Sequence, residues 1–453
     1  MKRYHLFLPI NNQRGATLVL VAICIFMIIA LSALAIDIGH LVVTKNELQN
    51  AADAGALAGA RYLYNDFGTL VNTGCNAIAM AAATANKSDN TVVVDVATND
   101  VQRGHWSFTT RTFTPNDATA PVELWDVETD LLDTNTDFIN AVQVTAWRSD
   151  PTVGSWFAKI FGYQGFLQSA TAVAYIGFAG SLGPADADQP IAICKQSLKE
   201  NDGDPYQCNI GRMLNSGSND ATNNTAGWTN FTQPCDTASA SDMKALVCAN
   251  GNPGMLNYGA GIGSTGGVQD NVLADLAECW RVEAKINTGE DTVWPLMLPV
   301  VDCPGNNVSN CADLLGAVYV NVVWIEEKAN DYRDTPRQME DWDASTDPTP
   351  VEDLSDFFEP QGPQDTFPVF DPGTTVADVV AADDAAGKDT IECGQVRWAG
   401  FVKHFKLKNA DDNYATFAKK SLYFLPDCTP HELVGTTEGE NFGVMARIPV
   451  LVD

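Results

Sequence analysis

Residues 16–36 read ATLVLVAICIFMIIALSALAI, and that stretch decides how the rest of the chain is laid out. No charged residue occurs from Gly15 to Ile36. Wound as a helix at ~1.5 Å per residue, this core spans about 31 Å, the thickness of a bilayer's hydrocarbon layer. Residues 15–36 are therefore expected to form a single transmembrane anchor, with Ala16, Leu20, Ile25, Ile29 and Ile36 among its apolar side chains. Lys2, Arg3 and Arg14 precede it with no acid beside them, while Asp37, Glu47 and Asp53 come after it, diluted by Lys45 and Arg61. Positive flanks stay inside, so residues 1–14 are expected in the cytoplasm and the bulk of the chain outside. A rival reading exists. Ala33-Leu34-Ala35 has the small-x-small form of a signal-peptidase site, and cleavage after Ala35 would make the segment a secretory signal. The apolar run is longer than a usual signal core and continues past that site, which favours a retained anchor. A buried helix of a soluble protein fits the length poorly.

The chain of 453 residues carries 27 Lys and Arg against 57 Asp and Glu, a net charge of −30. So acidic a surface repels phosphate backbones and anionic headgroups alike, which argues against a nucleic-acid partner and leaves membrane contact to a hydrophobic segment. Of the eleven cysteines, Cys24 lies inside the anchor. The other ten are Cys75, Cys194, Cys208, Cys235, Cys248, Cys279, Cys303, Cys311, Cys393 and Cys428, an even set with no CxxC spacing. In an exported chain such a set reads as candidate disulfides rather than a zinc or iron–sulfur site, with the connectivity open.

Beyond the anchor, the run Leu48-Gln49-Asn50-Ala51-Ala52-Asp53-Ala54 leads to Ala58-Gly59-Ala60. Ahead of it stand Arg14-Gly15 before the apolar core and Ala35-Ile36-Asp37-Ile38-Gly39 at its outer edge. Together, over residues 13–63, these closely resemble the N-terminal module of TadG-like Flp (tight adherence) pilus-assembly proteins. The segments Gly104–Phe108, Asn140–Ala146 and Ala170–Ala174 are similar to the region that family members carry after the module, and past residue 190 the resemblance is weak. It implies an accessory component of a type IV-like pilus system in a bacterial inner membrane, with other pilus-assembly proteins as partners. Two features depart from the family. The nearest string to the metal motif of a von Willebrand A domain, Asp343-Ala344-Ser345-Thr346-Asp347, lacks the last serine. Five residues after Gly15 stands Leu20, where a prepilin carries Glu, so processing as a pilin subunit is not expected.

The expected fold class is α+β. The transmembrane helix continues into an extracytoplasmic helical module over 37–85, where Ala51, Gly55 and Gly59 form a candidate packing face of small residues. That face could serve a partner in the envelope or the chain's own sheet. An α+β domain over 86–180 comes next, with antiparallel strands near 91–97, 104–108, 140–147 and 170–178 and an amphipathic helix opening at Pro151 through Trp156, Phe157, Ile160 and Phe161. Residues 181–190 read as a linker. Residues 191–453 read as an acidic, disulfide-containing, mainly-β domain with a helix at 268–283, strands at 317–325, 396–407, 421–425 and 444–452, and an exposed acidic loop at 326–390.

Catalytic motifs are sought without success. None of His5, His40, His105, His404 or His431 belongs to an HExxH, and no G-x-S-x-G elbow occurs. Gly261-Ile262-Gly263-Ser264-Thr265-Gly266 matches G-x-G-x-x-G, but the loop-like Gly251–Tyr258 precedes it where a dinucleotide fold needs a buried strand, so a flexible lead-in to the next helix is expected. Asn201-Asp202-Gly203-Asp204 and the acidic loop leave weak calcium binding open, though neither has EF-hand spacing. No cofactor and no enzyme activity are expected. The alternatives to an assembly component are a surface-displayed or minor pilus-associated adhesion protein and, less in keeping with the residues, an envelope hydrolase.

Overall fold

A computed structural model describes residues 14–453 except 66–69, 90–91, 121–128, 200–205, 216–225, 237, 267–269, 290–291, 305–307, 430 and most of 328–419. Its longest element is the helix α1, Arg14–Arg61, of 48 residues. Leu20, Ile25, Ile29 and Ile36 are exposed on it, as is almost every residue from Thr17 to Ile36. Further along, Asp37, Thr44, Leu48, Ala51, Ala52, Gly55, Ala56, Gly59 and Ala60 are buried. Their three- and four-residue spacing is one face of a 3.6-residue helix. One helix thus does two jobs, an all-apolar exposed half and an amphipathic half that lies on a sheet.

Helix α2, Cys75–Thr84, packs along that second half. Two short strands, β1 (Lys87–Ser88) and β2 (Val92–Val93), pair with each other. The platform is a five-stranded sheet built from β3 (Val101–Ser107), β4 (Thr112–Pro115), β5 (Ala141–Gly154) and β6 (Gly165–Tyr175), with α3 (Thr129–Thr134) between β4 and β5. Its fifth strand, β18 (Val450–Leu451), comes from the end of the chain, and the order is β18-β6-β5-β3-β4, antiparallel throughout. Val142, Val144, Ala146, Ala172 and Ala174 point at α1 and α2, which supply Leu48, Ala51, Ala56, Cys75 and Ala79 to the same core. Small residues on the helices let the backbones approach the sheet closely, and valines fill the pleat.

The second unit holds β7 (Ser181–Leu182), β8 (Ile191–Cys194), β9 (Arg212–Asn215), β10 (Ala226–Thr229), β11 (Leu256–Asn257), β12 (Gly261–Thr265), β13 (Trp294–Val301), β14 (Cys311–Glu326), β15 (Ser421–Pro426), β16 (Val434–Thr436) and β17 (Ala446–Ile448). Its helices are α4 (Ala240–Leu246) and α5 (Asp270–Glu283). The main sheet runs β12-β10-β8-β13-β14-β15-β9, and the start of β14 also pairs β12, so five of the strands close on themselves. Only β8 and β13 run parallel within it. Trp280 and Leu276 of α5 lie in a core with Trp324, Val320, Tyr423 and Phe424.

Several expectations change. The amphipathic helix opening at Pro151 is instead the end of β5, a single 3-10 turn (Ala158–Phe161) and the start of β6. Tyr175↔Ala141 through Gly165↔Gly154 pairing claims the flanks, and its hydrogen bonds outweigh the helical spacing of four apolar residues. The G-x-G-x-x-G stretch is strand β12, antiparallel to β10 and β14, rather than a flexible lead-in. A Cβ on Gly263 would meet Thr232 and Asn230, so close approach of a neighbouring chain segment explains that glycine. In place of a strand at 396–407, the described residues Arg397, Trp398, Phe401 and Val402 are helical, with both aromatic rings buried. The stretch 181–190, expected as a linker, carries β7 paired to β11 and buries Leu182 and Ala187. Asn201–Asp204, His404, Cys393 and nearly all of 326–390 lie outside the described residues. The acidic stretch follows the end of β14 at Glu326, and β15 begins at Ser421, which faces Glu326 in the sheet. The chain between them is an insertion between two neighbouring strands.

Candidate functional site

The small-residue face of α1 is occupied from within the chain. A Cβ on Gly55 would lie 2.9 Å from Ala83 Cβ and 3.2 Å from Val144 Cγ1, and one on Gly59 would lie 2.8 Å from both Ala79 Cβ and Val142 Cγ1. Ala51, one turn earlier, is fully buried. Of the two occupants the sequence allowed, the chain's own helix and sheet take this face.

Nearer the exposed apolar half of α1, a second set of contacts ties the β5–β6 hairpin to the helix. Asp37 stands at the outer edge of the apolar stretch and is buried. Its carboxylate accepts hydrogen bonds from the backbone N–H groups of Trp156 (2.8 Å), Phe157 (3.1 Å) and Ala158 (2.8 Å). Those are the orphan donors that open the 3-10 turn, so a side chain on one element caps another across a gap of about 120 residues. One turn further, His40 bridges the carbonyl oxygen of Gly154 (3.2 Å) and Asp89 Oδ1 (2.8 Å). Asp89 also meets Arg148 Nη2 at 3.3 Å, and its N–H donates to Glu47 Oε2 at 2.8 Å. Helix, β1–β2 turn and hairpin thus share one charged junction just outside the apolar stretch. Neither Asp37 nor Asp89 stands out in the sequence as a clamp. The only signal is an acid placed directly after an uncharged run.

Four disulfides tie the second unit: Cys194–Cys303, Cys208–Cys428, Cys235–Cys311 and Cys248–Cys279. Their Cα separations of 5.1 to 6.2 Å lie in the range a disulfide needs. Cys75 departs from expectation. It is a free thiol, buried under α1 at the start of α2, and burial pushes the thiol up. It serves there as a small apolar residue. Cys24 is free and exposed on the apolar half of α1.

Several other titratable groups are engaged structurally. Buried His105 sets its two ring nitrogens against the carbonyl oxygens of Phe138 and Asp133. His431 stacks on Tyr319 with ring centroids 3.6 Å apart and meets Asp427 at 3.0 Å. Burial works to raise the Asp427 carboxyl, but hydrogen bonds from His431 and Thr429 outweigh it and hold the group well below the usual carboxylate range. An open depression is lined by Asp188, Gln189, Glu283, Trp294 and the Cys248–Cys279 bridge. Burial and the neighbouring Asp186 raise Asp188, which accepts the N–H of Met297. Two acids without a nucleophile or a histidine beside them make a weak case for hydrolysis. Among the described residues no group of three or more His, Cys, Asp or Glu could hold a metal ion.

Comparison with known proteins addresses the first unit. Residues 15–61 match a family described as putative Flp pilus-assembly TadE/G-like, and residues 58–174 match one described as putative Tad-like Flp pilus-assembly. No curated protein and no solved structure matches the chain. The first match is α1 almost from end to end, and the second runs from the foot of α1 to the last residues of β6. Over residues 15–174 the chain is therefore similar to the TadE/G-like and Tad-like Flp pilus-assembly families.

Proposed function

We propose that this chain is a membrane-anchored accessory component of Flp (Tad, type IV-like) pilus assembly, acting through protein–protein contacts in the cell envelope rather than by catalysis. The observation that carries the reading is the match of residues 15–174 to two pilus-assembly families, over a helix that is long and apolar enough to cross a membrane. In this reading residues 15–36 cross the inner membrane, residues 1–14 remain in the cytoplasm, and everything after Asp37 lies outside. The four disulfides favour an oxidising compartment for the second unit. With the Ala51-Gly55-Gly59 face occupied internally, partners would meet other surfaces, and the acidic second unit is the larger of those.

The test is deletion of the gene in its own host, with imaging of the cell surface and an attachment assay. Loss of pili that the full chain restores supports an assembly role. Normal pili with failed attachment favour the second reading, a surface-displayed or minor pilus-associated adhesion protein, for which the disulfide-tied acidic unit is suited. Shearing separates these two further, because an assembly component stays with the inner membrane and a pilus-associated one leaves with the pili. No change in either assay overturns both.

A further inference from the structure

We propose that the tip of the β5–β6 hairpin, residues 156–167, is a second membrane contact, resting in the outer interfacial layer of the bilayer that α1 crosses. The proposal rests on the reading of α1 as a membrane anchor and adds a site to it.

Among the described large apolar residues outside α1, Phe161, Ile160 and Trp156 of the tip are the most exposed. Trp156, Ile160, Phe161, Tyr163 and Leu167 are 71%, 78%, 80%, 62% and 58% exposed. Single exposed apolar residues are ordinary, but five within twelve positions form a patch that needs a cover. Its charge is also unlike the rest of the molecule. In a chain of net charge −30, Lys159 is the one charged residue from Pro151 to Ala185.

Contacts along α1 fix where the tip points. Gly59 faces Val142, Gly55 faces Val144, and Gln49 bonds the carbonyl oxygen of Thr171. Next come His40 on Gly154 and Asp37 on residues 156–158. The hairpin therefore runs down the helix toward its N-terminal half, and its tip arrives where the apolar stretch begins. The buried stripe of α1 extends one turn further, to Ala33, the sole buried residue among 17–36. Asp37, the acid at this depth, presents no bare charge, because three N–H groups of the tip enclose it.

Lipid is the cover that suits this surface. Trp and Tyr favour the boundary between hydrocarbon and water, where ring and polar edge are both satisfied. Lys159 can lay its stem along apolar surface and place its ammonium among anionic headgroups, which the acidic body of the protein would avoid. Ile36, Ile38, Val42 and Val43 of α1 are exposed at the same level. The exposed apolar length of α1 from Thr17 to Val43 is about 40 Å, longer than a ~30 Å hydrocarbon core and close to the ~40–45 Å that includes both interfacial layers. Residues 37–43 and the hairpin tip beside them fall in that outer layer.

The experiment uses the full chain carrying Cys75→Ala and Cys393→Ser, in vesicles of phosphatidylethanolamine and phosphatidylglycerol, with a nitroxide label at one cysteine at a time. Native Cys24 reports the span; Cys24→Ser with Ile160→Cys reports the tip; Cys24→Ser with Met255→Cys, a position 61% exposed on the second unit, reports open water. Collisions with oxygen, which concentrates in lipid, are compared with collisions with a water-soluble nickel chelate. The expected result is a several-fold preference for oxygen at residue 160, between the strong preference at Cys24 and none at residue 255. Ile160→Asp with Phe161→Asp, both at solvent-facing positions, should turn a label at Tyr163→Cys toward nickel while Cys24 stays in lipid. Lipid values at Cys24 with water values at residue 160 overturn this proposal and leave the anchor standing. Protection of residue 160 from both reagents overturns it too, since protein would then cover the tip. Water values at Cys24 itself overturn the anchor and this proposal together.

Discussion

At the scale of the residue, two positions on α1 carry more than their size suggests. Gly59 is where helix, α2 and β5 come closest, and any side chain there must displace Ala79 and Val142 together. Gly59→Leu should destabilise the first unit by about 1–3 kcal/mol through overpacking, read as a lower denaturation midpoint in detergent. An unchanged midpoint would mean that the sheet does not press on the helix as described. Asp37 is the second position. Asp37→Ala removes a carboxylate from three N–H groups and should loosen the turn they open, as losing a helix cap does. Hydrogen exchange at residues 156–158 should quicken while exchange in β5 near Val144 stays slow. Equal quickening at both would show that Asp37 supports the whole sheet rather than its tip.

At the scale of the element, acids pin the turns of the first sheet. Asp133 of α3 accepts the N–H groups of Phe108 (2.7 Å) and Thr109 (3.1 Å) and the hydroxyl of Ser107 (3.1 Å). Burial works to raise its carboxyl, and these hydrogen bonds outweigh burial and lower it. Asp95 is lowered chiefly by the Ser149 hydroxyl, with the N–H groups of Ser149 and Asp150 adding to it at the irregular stretch of β5. Both folded groups sit below the ordinary 3.8, so the unfolded chain takes up protons first as acid is added. Their stabilisation is complete above that value and is lost as pH falls through the folded ones. The urea midpoint should be flat from about pH 7 to pH 5 and drop below about pH 4. Asp95→Asn with Asp133→Asn should flatten the acid limb, and a limb that stays as steep would assign the loss to other carboxylates.

At the scale of the whole molecule, the two units are held by different means. The first unit stands on helix–sheet packing, with no disulfide among its described residues. The second has four, closing sequence separations of 109, 220, 76 and 31 residues, and the longest of them encloses the acidic insertion after β14. Each bridge limits the unfolded chain and typically contributes about 2–4 kcal/mol. Reduction under native conditions should therefore open amide exchange in β8, β13 and β14 while β3, β5 and β6 keep their protection. Simultaneous loss in both would show that they unfold as one, a real alternative because β18 carries the end of the chain back to β6.

The sequence by itself determined the long apolar N-terminal helix and its continuation, the α+β class, the strands near 104–108, 140–147, 317–325 and 421–425, and the disulfide-bearing character of the second unit. Those features depend on local pattern: an uncharged run of bilayer length, a 3.6-residue stripe of alanines and glycines, alternating valines. Only the tertiary structure decided that Trp156, Phe157, Ile160 and Phe161 cap a hairpin, that Gly261 to Thr265 is a strand, and that Cys75 stays unpaired. It alone also set Asp37 against a turn some 120 residues away. Each of these depends on a partner distant in sequence, be it a neighbouring strand, a thiol or a row of unpaired N–H groups, and local periodicity carries no record of what the chain will later bring alongside.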